Sequence, residues 1–447
     1  MITARVFAGK RYAVLGLARS GLATVEALCA SGATVLAWDD REDARQAAGG
    51  AEIVDLNEAD LGTLQLDGLV VSPGVPLNTH KLAAKAKAAG VPVIGDIELF
   101  ARARRFLPPH RVVGITGTNG KSTVTALIHH ILQKAKMPAL LGGNIGLPIL
   151  GQEPLPKGGV YVLELSSFQI DLTQSLACDV AVLTNITPDH LDRYDSFEAY
   201  AASKARLFQM QALSGRAVIA IDDDQTRAIA KRVRAQLTQV SAAQKGRYGV
   251  QVFGGTAYLD GRSAAAQRDW LALQGPHNAQ NAACAIAACR ALGLPDAAIM
   301  AALKTYPGLP HRMERVREIG GVLYVNDSKA TNPTSTAPAL GAYPAIHWIL
   351  GGLAKTDDLD ACEPWLGHVK AAYTIGKAGP LFARLLTGKV PEVTEAGTLE
   401  AAVTAAAAAA KPGEVVLLSP ACASYDQFSD FEARGRAFAE AVGKIAP

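Results

Sequence analysis

GITGTNGKST occupies residues 114–123 of a 447-residue chain. Val112, Val113 and Ile115 form an apolar, strand-like run into it, and apolar residues at Val124, Leu127, Ile128, Ile131 and Leu132 follow it at helical spacing. Strand, glycine-rich turn, Lys-Ser and helix is the layout of a phosphate-binding loop. Backbone N–H groups and the positive helix N-terminus cradle phosphate oxygens, a lysine reaches the terminal phosphates and a hydroxyl can hold Mg²⁺. The ATP-binding residues expected on this ground are Gly117, Thr118, Asn119, Gly120, Lys121, Ser122 and Thr123. The general rule wants a glycine where Ile115 stands, so the alternative is a glycine-rich turn with a surface lysine.

The rest of the chain bounds the answer. A chain of this length exceeds one core, and two to three domains are expected. Net charge is +3 without a Lys/Arg block, which gives no reason to expect a nucleic-acid partner. No apolar run approaches the roughly 18 residues of a membrane span. MITARVFAGKRYAVLG leads straight into a strand, with no secretory signal pattern. The six cysteines lack CxxC spacing and read as reduced thiols, so a cytoplasmic protein without a zinc site is expected.

Strand and helix patterns alternate throughout, which predicts an α/β protein of three open α/β domains. Residues 1–103 form the first, Rossmann-like, with RYAVLG, ATVLAWDD and LDGLVVSPGV as strands. ARARRFLPPHR (101–111) reads as a linker. Residues 104–308 form the central, phosphate-loop ATPase-like domain, with GVYVLELSS, CDVAVLTNIT and RAVIAIDDD as strands. Residues 309–447 form a third, Rossmann-like domain, with GVLYVNDS, AIHWILGG, VKAAYTIG and EVVLLSP as strands. AAVTAAAAAA (401–410) reads as an alanine-rich helix.

GLARSG (16–21), with Asp39 ending the second strand, is close to the dinucleotide fingerprint, but Ala18 replaces the glycine that lets backbone touch a pyrophosphate. That argues against the standard NAD pose. Glu164 stands inside an apolar strand, where a carboxylate is costly unless paired or bound to metal. His190 follows another such strand, in NITPDHLDRY. GGNIG supplies Asn144 at another polar strand end. Asn278 and Asn281 are three apart in GPHNAQNAACA, and their amides can read adenine edges, although Asn278 is an equally good helix cap.

TGTNGKS, NITPDHLDRY, LPHRMERV (309–316) and NDSKATNPTSTAPAL (326–340) together resemble the Mur ligase family, in order and over the whole chain. TGTNGKS alone also resembles folylpolyglutamate synthases. The family resemblance implies an ATP-dependent amide-bond ligase of peptidoglycan precursor synthesis that works through an acyl phosphate. Its implied substrates are UDP-N-acetylmuramoyl-L-alanine and D-glutamate, with L-glutamate as the alternative, and a monomer is the expected state. It implies two Mg²⁺ ions held by Ser122, Glu164, His190 and a carbamylated Lys204, which otherwise reads as a helix-surface lysine. It places Arg19, Ser20, Asp39, Arg41, Gly74 and Asn144 along the UDP-sugar. Arg312 would meet ATP phosphates and Asp327 the ribose. Lys329, Thr331, Lys355, Ser424 and Phe431 would line the amino-acid site. Lys121, His190, Lys204 and Arg312 are the implied catalytic residues. The other readings are a ligase for a different amino acid, a folylpolyglutamate-synthase-like ligase, and a non-catalytic nucleotide-binding or dehydrogenase-like protein.

Overall fold

The computed structural model describes residues 1–189, 193–247 and 249–446. The chain divides into two compact units, Met1–Ala265 with Gln280–Leu303, and Ala266–Ala279 with Lys304–Pro447. Among the described residues three sheets form, each of mostly parallel strands, as the alternating patterns predict.

The first unit begins with a five-stranded parallel sheet. Its spatial order is Glu52–Ile53, Thr34–Trp38, Arg11–Leu15, Gly68–Val71 and Val93–Ile94. The central strands are apolar along nearly their whole length because both faces are covered. The second sheet has Arg111–Thr116 between Val160–Glu164 and Val180–Leu183. The chain leaves Arg111–Thr116 through the helix Lys121–Lys134 to one side and later crosses to the other. Such a reversal of strand order marks the carboxyl edge at which doubly wound sheets take their ligands.

Gln236–Ser241 and the antiparallel pair Val250–Phe253 and Thr256–Leu259 extend this sheet. They escape the sequence reading because they mix polar with apolar residues.

One apolar cluster runs from the first sheet into the second and includes Tyr12, Phe100, Tyr161 and Leu163. The stretch 101–111 is more ordered than a linker. Residues 101–103 complete the helix Asp96–Ala103, and Arg104–Phe106 make one 3-10 turn. That helix carries Glu98, 2% exposed. Its carboxylate accepts the Gln174 and Ser175 amides at 2.8 and 2.9 Å, the Ser175 hydroxyl at 3.0 Å and Arg102 Nε at 2.9 Å. Gly95 N–H adds a bond to the Leu172 carbonyl at 3.0 Å.

The second unit holds a six-stranded sheet ordered Glu314–Ile319, Val322–Asn326, Val415–Leu418, Ile346–Gly351, Val369–Ile375 and Val393–Gly397. Only the first pair is antiparallel. Alternation along Ile346–Gly351 sends Trp348 and Leu350 into one apolar cluster and Ile349 into the other. The alanine run folds as the helix Leu399–Ala409, capped by Thr398. No helix among the described residues is long and apolar enough to cross a membrane.

Candidate active site

Two glycines shape the phosphate loop. Gly120 caps the helix Lys121–Lys134 at φ 82°, and Gly117 adopts φ 145°. A methyl on Gly117 would stand 1.9 Å from Thr184 Oγ1, and one on Gly120 2.1 Å from Asn281 Oδ1. Backbone angle and space therefore both demand glycine at these two positions.

Asn185, which the sequence reading passed over, braces the loop. Its carbonyl accepts the Thr118 amide at 2.8 Å and its Oδ1 accepts the Asn119 amide at 2.9 Å. Thr184 Oγ1 donates to the Asn119 carbonyl at 2.7 Å. A loop braced in this way at a helix N-terminus is the arrangement that suits an anion.

Two lysines converge on one carbonyl. Lys121 Nζ donates to Gly117 O at 3.0 Å and Thr118 O at 2.8 Å. Lys204 Nζ donates to the same Gly117 O at 2.9 Å. The helix Phe197–Gln209 buries Tyr200, Ser203, Lys204 and Leu207 on one side, leaving Lys204 only 1% exposed. This overturns its reading as a surface lysine. Burial first, and then the Lys121 charge, hold its amine well below the ordinary lysine range. The Lys204 amine lies 4.4 Å from the Tyr200 ring centre, and Tyr200 OH meets Thr118 Oγ1 at 3.2 Å.

Glu164 ends its strand 2% exposed. Its Oε1 accepts Asn144 Nδ2 at 3.0 Å, while its buried Oε2 has no hydrogen-bond partner among the described residues. A buried carboxylate oxygen without a donor is expensive, and a cation would offset that cost. Ser122, 7% exposed at the start of the helix, offers a second hard oxygen. This donor set fits Mg²⁺. His190 lies outside the described residues.

In the first sheet Asp39 latches the glycine turn. Its Oδ2 accepts the Leu17 amide at 2.7 Å and its Oδ1 the Arg41 amide at 3.0 Å. Burial pulls its carboxyl upward, but these donors and the Arg41 guanidinium outweigh it and leave it below the usual range. Arg19 reaches the GGNIG loop, donating to the Gly146 carbonyl at 2.6 Å. Ser20 follows it in the first turn of the helix Arg19–Ala30. A Cβ on Gly74 would meet only open space. Beside it a recess of about 130 Å³ is lined by Pro73, Val75, Phe168, Arg193 and Tyr194. The Arg193 guanidinium lies 4.3 Å from the Phe168 ring centre, and sequence reading missed both residues.

The second unit gathers most of the third-domain candidates. His311 and Met313 flank Arg312 at φ 60° and 50°, backbone that non-glycine residues adopt at a cost. Asp327 is 7% exposed and accepts the Ser419 hydroxyl at 2.8 Å and the Met313 amide at 3.2 Å. Burial pushes its carboxyl up to about 7, against these donors and the Arg312 charge. Lys329 Nζ lies 3.8 Å from the Phe431 ring centre. Ser424 is buried, Thr331 is half-buried and Lys355 is exposed. Asn278 is no cap, because the helix begins at Pro276, and its Nδ2 donates to the Gln274 carbonyl at 3.0 Å.

Arg434, also missed, is 1% exposed. It donates to Ser328 Oγ and O at 3.0 and 2.8 Å and to the Cys422 carbonyl at 3.0 Å. It thereby pins the NDSKATN loop to the SPACAS loop.

Three domain families match this chain. The Mur ligase MurD-like N-terminal domain covers residues 10–95, the Mur ligase middle domain 115–289, and the Mur ligase glutamate ligase domain 311–422. The UDP-N-acetylmuramoylalanine--D-glutamate ligase of Sphingopyxis alaskensis is 62% identical over 449 residues, covering 99% of both chains. The same-named protein of Novosphingobium aromaticivorans is 61% identical, covering 99% of this chain and 96% of that one. Among solved structures, the MurF ligase of Thermotoga maritima in complex with ADP aligns with a TM-score of 0.61 at 17% identity, covering 98% of this chain and 99% of that one. The fold is therefore shared well beyond the reach of sequence identity.

Proposed function

This chain belongs to the Mur ligase family, and from that premise we propose that it joins UDP-N-acetylmuramoyl-L-alanine to D-glutamate. It is an ATP-dependent amide-bond ligase of peptidoglycan precursor synthesis. The observation that carries the nucleotide half of this reading is the braced phosphate loop, with Lys121 and Lys204 on one carbonyl. The full-length relatives at 61–62% identity carry the choice of substrates.

The terminal alanine carboxylate of the sugar nucleotide attacks the γ-phosphorus of ATP. A carboxylate O–P bond forms, the bond to the β–γ bridging oxygen breaks, and ADP leaves. The neutral amine of glutamate then attacks the acyl carbon. The tetrahedral intermediate collapses with loss of phosphate, and the nitrogen gives up a proton as the amide forms.

We assign residues 1–103 to the UDP-sugar, 104–308 to ATP and 309–447 to the amino acid. Arg19, Ser20, Asp39, Arg41, Gly74 and Asn144 orient the sugar nucleotide and its carboxylate. Gly117 to Thr123 cradle the triphosphate, and Lys121 and Arg312 follow negative charge as it builds on the γ-phosphoryl group. Asn278 and Asn281 hold the adenine and Asp327 the ribose. Lys329, Thr331, Lys355, Ser424 and Phe431 take the amino acid, whose paired carboxylates suit a lysine and hydroxyls. Ser122, Glu164, His190 and Lys204 as its carbamate would hold two Mg²⁺ ions, which supply charge neutralisation on the phosphate oxygens. The low basicity of the buried Lys204 amine supports the carbamate, since only a neutral amine adds CO₂. The chain acts as a cytoplasmic monomer in this reading.

An isotope experiment tests the chemistry. With ¹⁸O in the alanine carboxylate, one label should appear in released phosphate for each amide formed. Phosphate free of label would eliminate the acyl phosphate.

A further inference from the structure

A chain of side-chain amides runs from the phosphate loop to a carboxylate at the end of a neighbouring strand. Asn119 N–H donates to Asn185 Oδ1 at 2.9 Å. Asn185 Nδ2 donates to Gln280 Oε1 at 2.9 Å, and Gln280 Nε2 donates to Asp222 Oδ2 at 2.8 Å. Asp222 is itself fixed by the Ser241 hydroxyl at 2.5 Å and the Ala242 amide at 2.9 Å. All of these residues lie in the first unit.

The direction of the chain is set at its carboxylate end. An ionised carboxylate only accepts, so Gln280 must turn its NH₂ toward Asp222. Its carbonyl then faces Asn185 and demands a donor there. Asn185 must present its NH₂ to Gln280, which leaves Oδ1 to accept the Asn119 N–H, while the same NH₂ also donates to the Asn119 carbonyl at 3.2 Å. Each orientation follows from the previous one, and linked hydrogen bonds of this kind reinforce one another. The result decides how the Asn119 peptide sits between the two loop glycines. Gln280 also precedes Asn281, whose Oδ1 lies over Gly120.

We propose that Gln280 is a positioning residue for nucleotide binding, holding the Asn119 peptide of the phosphate loop through Asn185 under the direction of Asp222. The proposal rests on the assignment of this loop to ATP. Gln280 touches no reacting atom, and its effect runs through the loop alone.

The test is ADP binding with Mg²⁺ to the full-length chain by calorimetry, with thermal unfolding and UDP-sugar affinity measured in parallel. Gln280→Met keeps the length and removes the polarity. It should weaken ADP about tenfold, the scale of one or two lost hydrogen bonds, with UDP-sugar affinity within about twofold of the parent. Gln280→Glu still accepts from Asn185 but sets a second carboxylate against Asp222. Its ADP affinity, relative to the parent at each pH, should recover as pH falls and the new side chain regains a proton to donate. Gln280→Met should show no such recovery.

A parent chain that fails to bind ADP would overturn the nucleotide reading and this proposal with it. A parent that binds, with Gln280→Met binding equally well, would overturn the proposal alone. So would a uniform loss of ADP affinity, sugar affinity and thermal stability, or identical pH profiles for the two variants.

Discussion

Lys204 owes its chemistry to where the fold puts its amine. A lysine in YAASKARLF has no local signature, and its burial depends on Tyr200 and on a carbonyl 87 residues away. Only the resemblance of the surrounding strings flagged it. Lys204→Ala should lose most turnover and recover part of it with added small carboxylic acids, as measured by phosphate release. Full activity without additive would remove the carbamate from the account.

Asp327 was legible by its string but not by its environment. Its carboxyl sits near 7 in the folded unit against about 3.9 in an unfolded chain. The native state therefore holds a proton that the unfolded state lacks between these values. Its contribution to stability is full below about pH 4 and lost as pH rises toward 7. Asp327→Asn should flatten that part of the thermal-unfolding profile, and an unchanged slope would contradict the assignment. Arg434 stayed hidden for the converse reason, because its partners Ser328 and Cys422 come from distant loops.

At the scale of elements, the phosphate loop and its flanking strand and helix were legible because glycine geometry and apolar periodicity are local. The parallel strands were legible for the same reason, being continuous apolar runs between turns. The edge strands beyond Arg216–Ala220 were not, since half-exposed strands carry mixed residues. Asn185 was invisible because a brace is defined by the loop it meets. Gly120→Ala should leave secondary structure intact by circular dichroism and lower kcat/KM for ATP about 10²-fold, because the added methyl meets Asn281 and the backbone favours glycine. Unaltered kinetics would mean that the loop tolerates displacement and does not hold the nucleotide closely.

Across the whole molecule, the three α/β patterns were readable, but the tie within the first unit was not. Glu98 meets Gln174 and Ser175 more than seventy residues away, and no sequence spacing announces such a clamp. By accepting from two backbone amides, a hydroxyl and a guanidinium, it joins the helix after the first sheet to a loop of the second. Glu98→Ala should destabilise the first unit by about 3 kcal/mol in denaturant titration, since it leaves buried donors and an arginine without their acceptor. A loss below about 1 kcal/mol would show that the shared apolar cluster alone does the joining.

The most direct measurement is phosphate release by the purified chain with ATP, Mg²⁺ and UDP-N-acetylmuramoyl-L-alanine, with D-glutamate and L-glutamate supplied in parallel. Release should depend on D-glutamate. Release with L-glutamate alone would contradict the substrate while keeping the chemistry, and no release with either would contradict the ligase assignment itself.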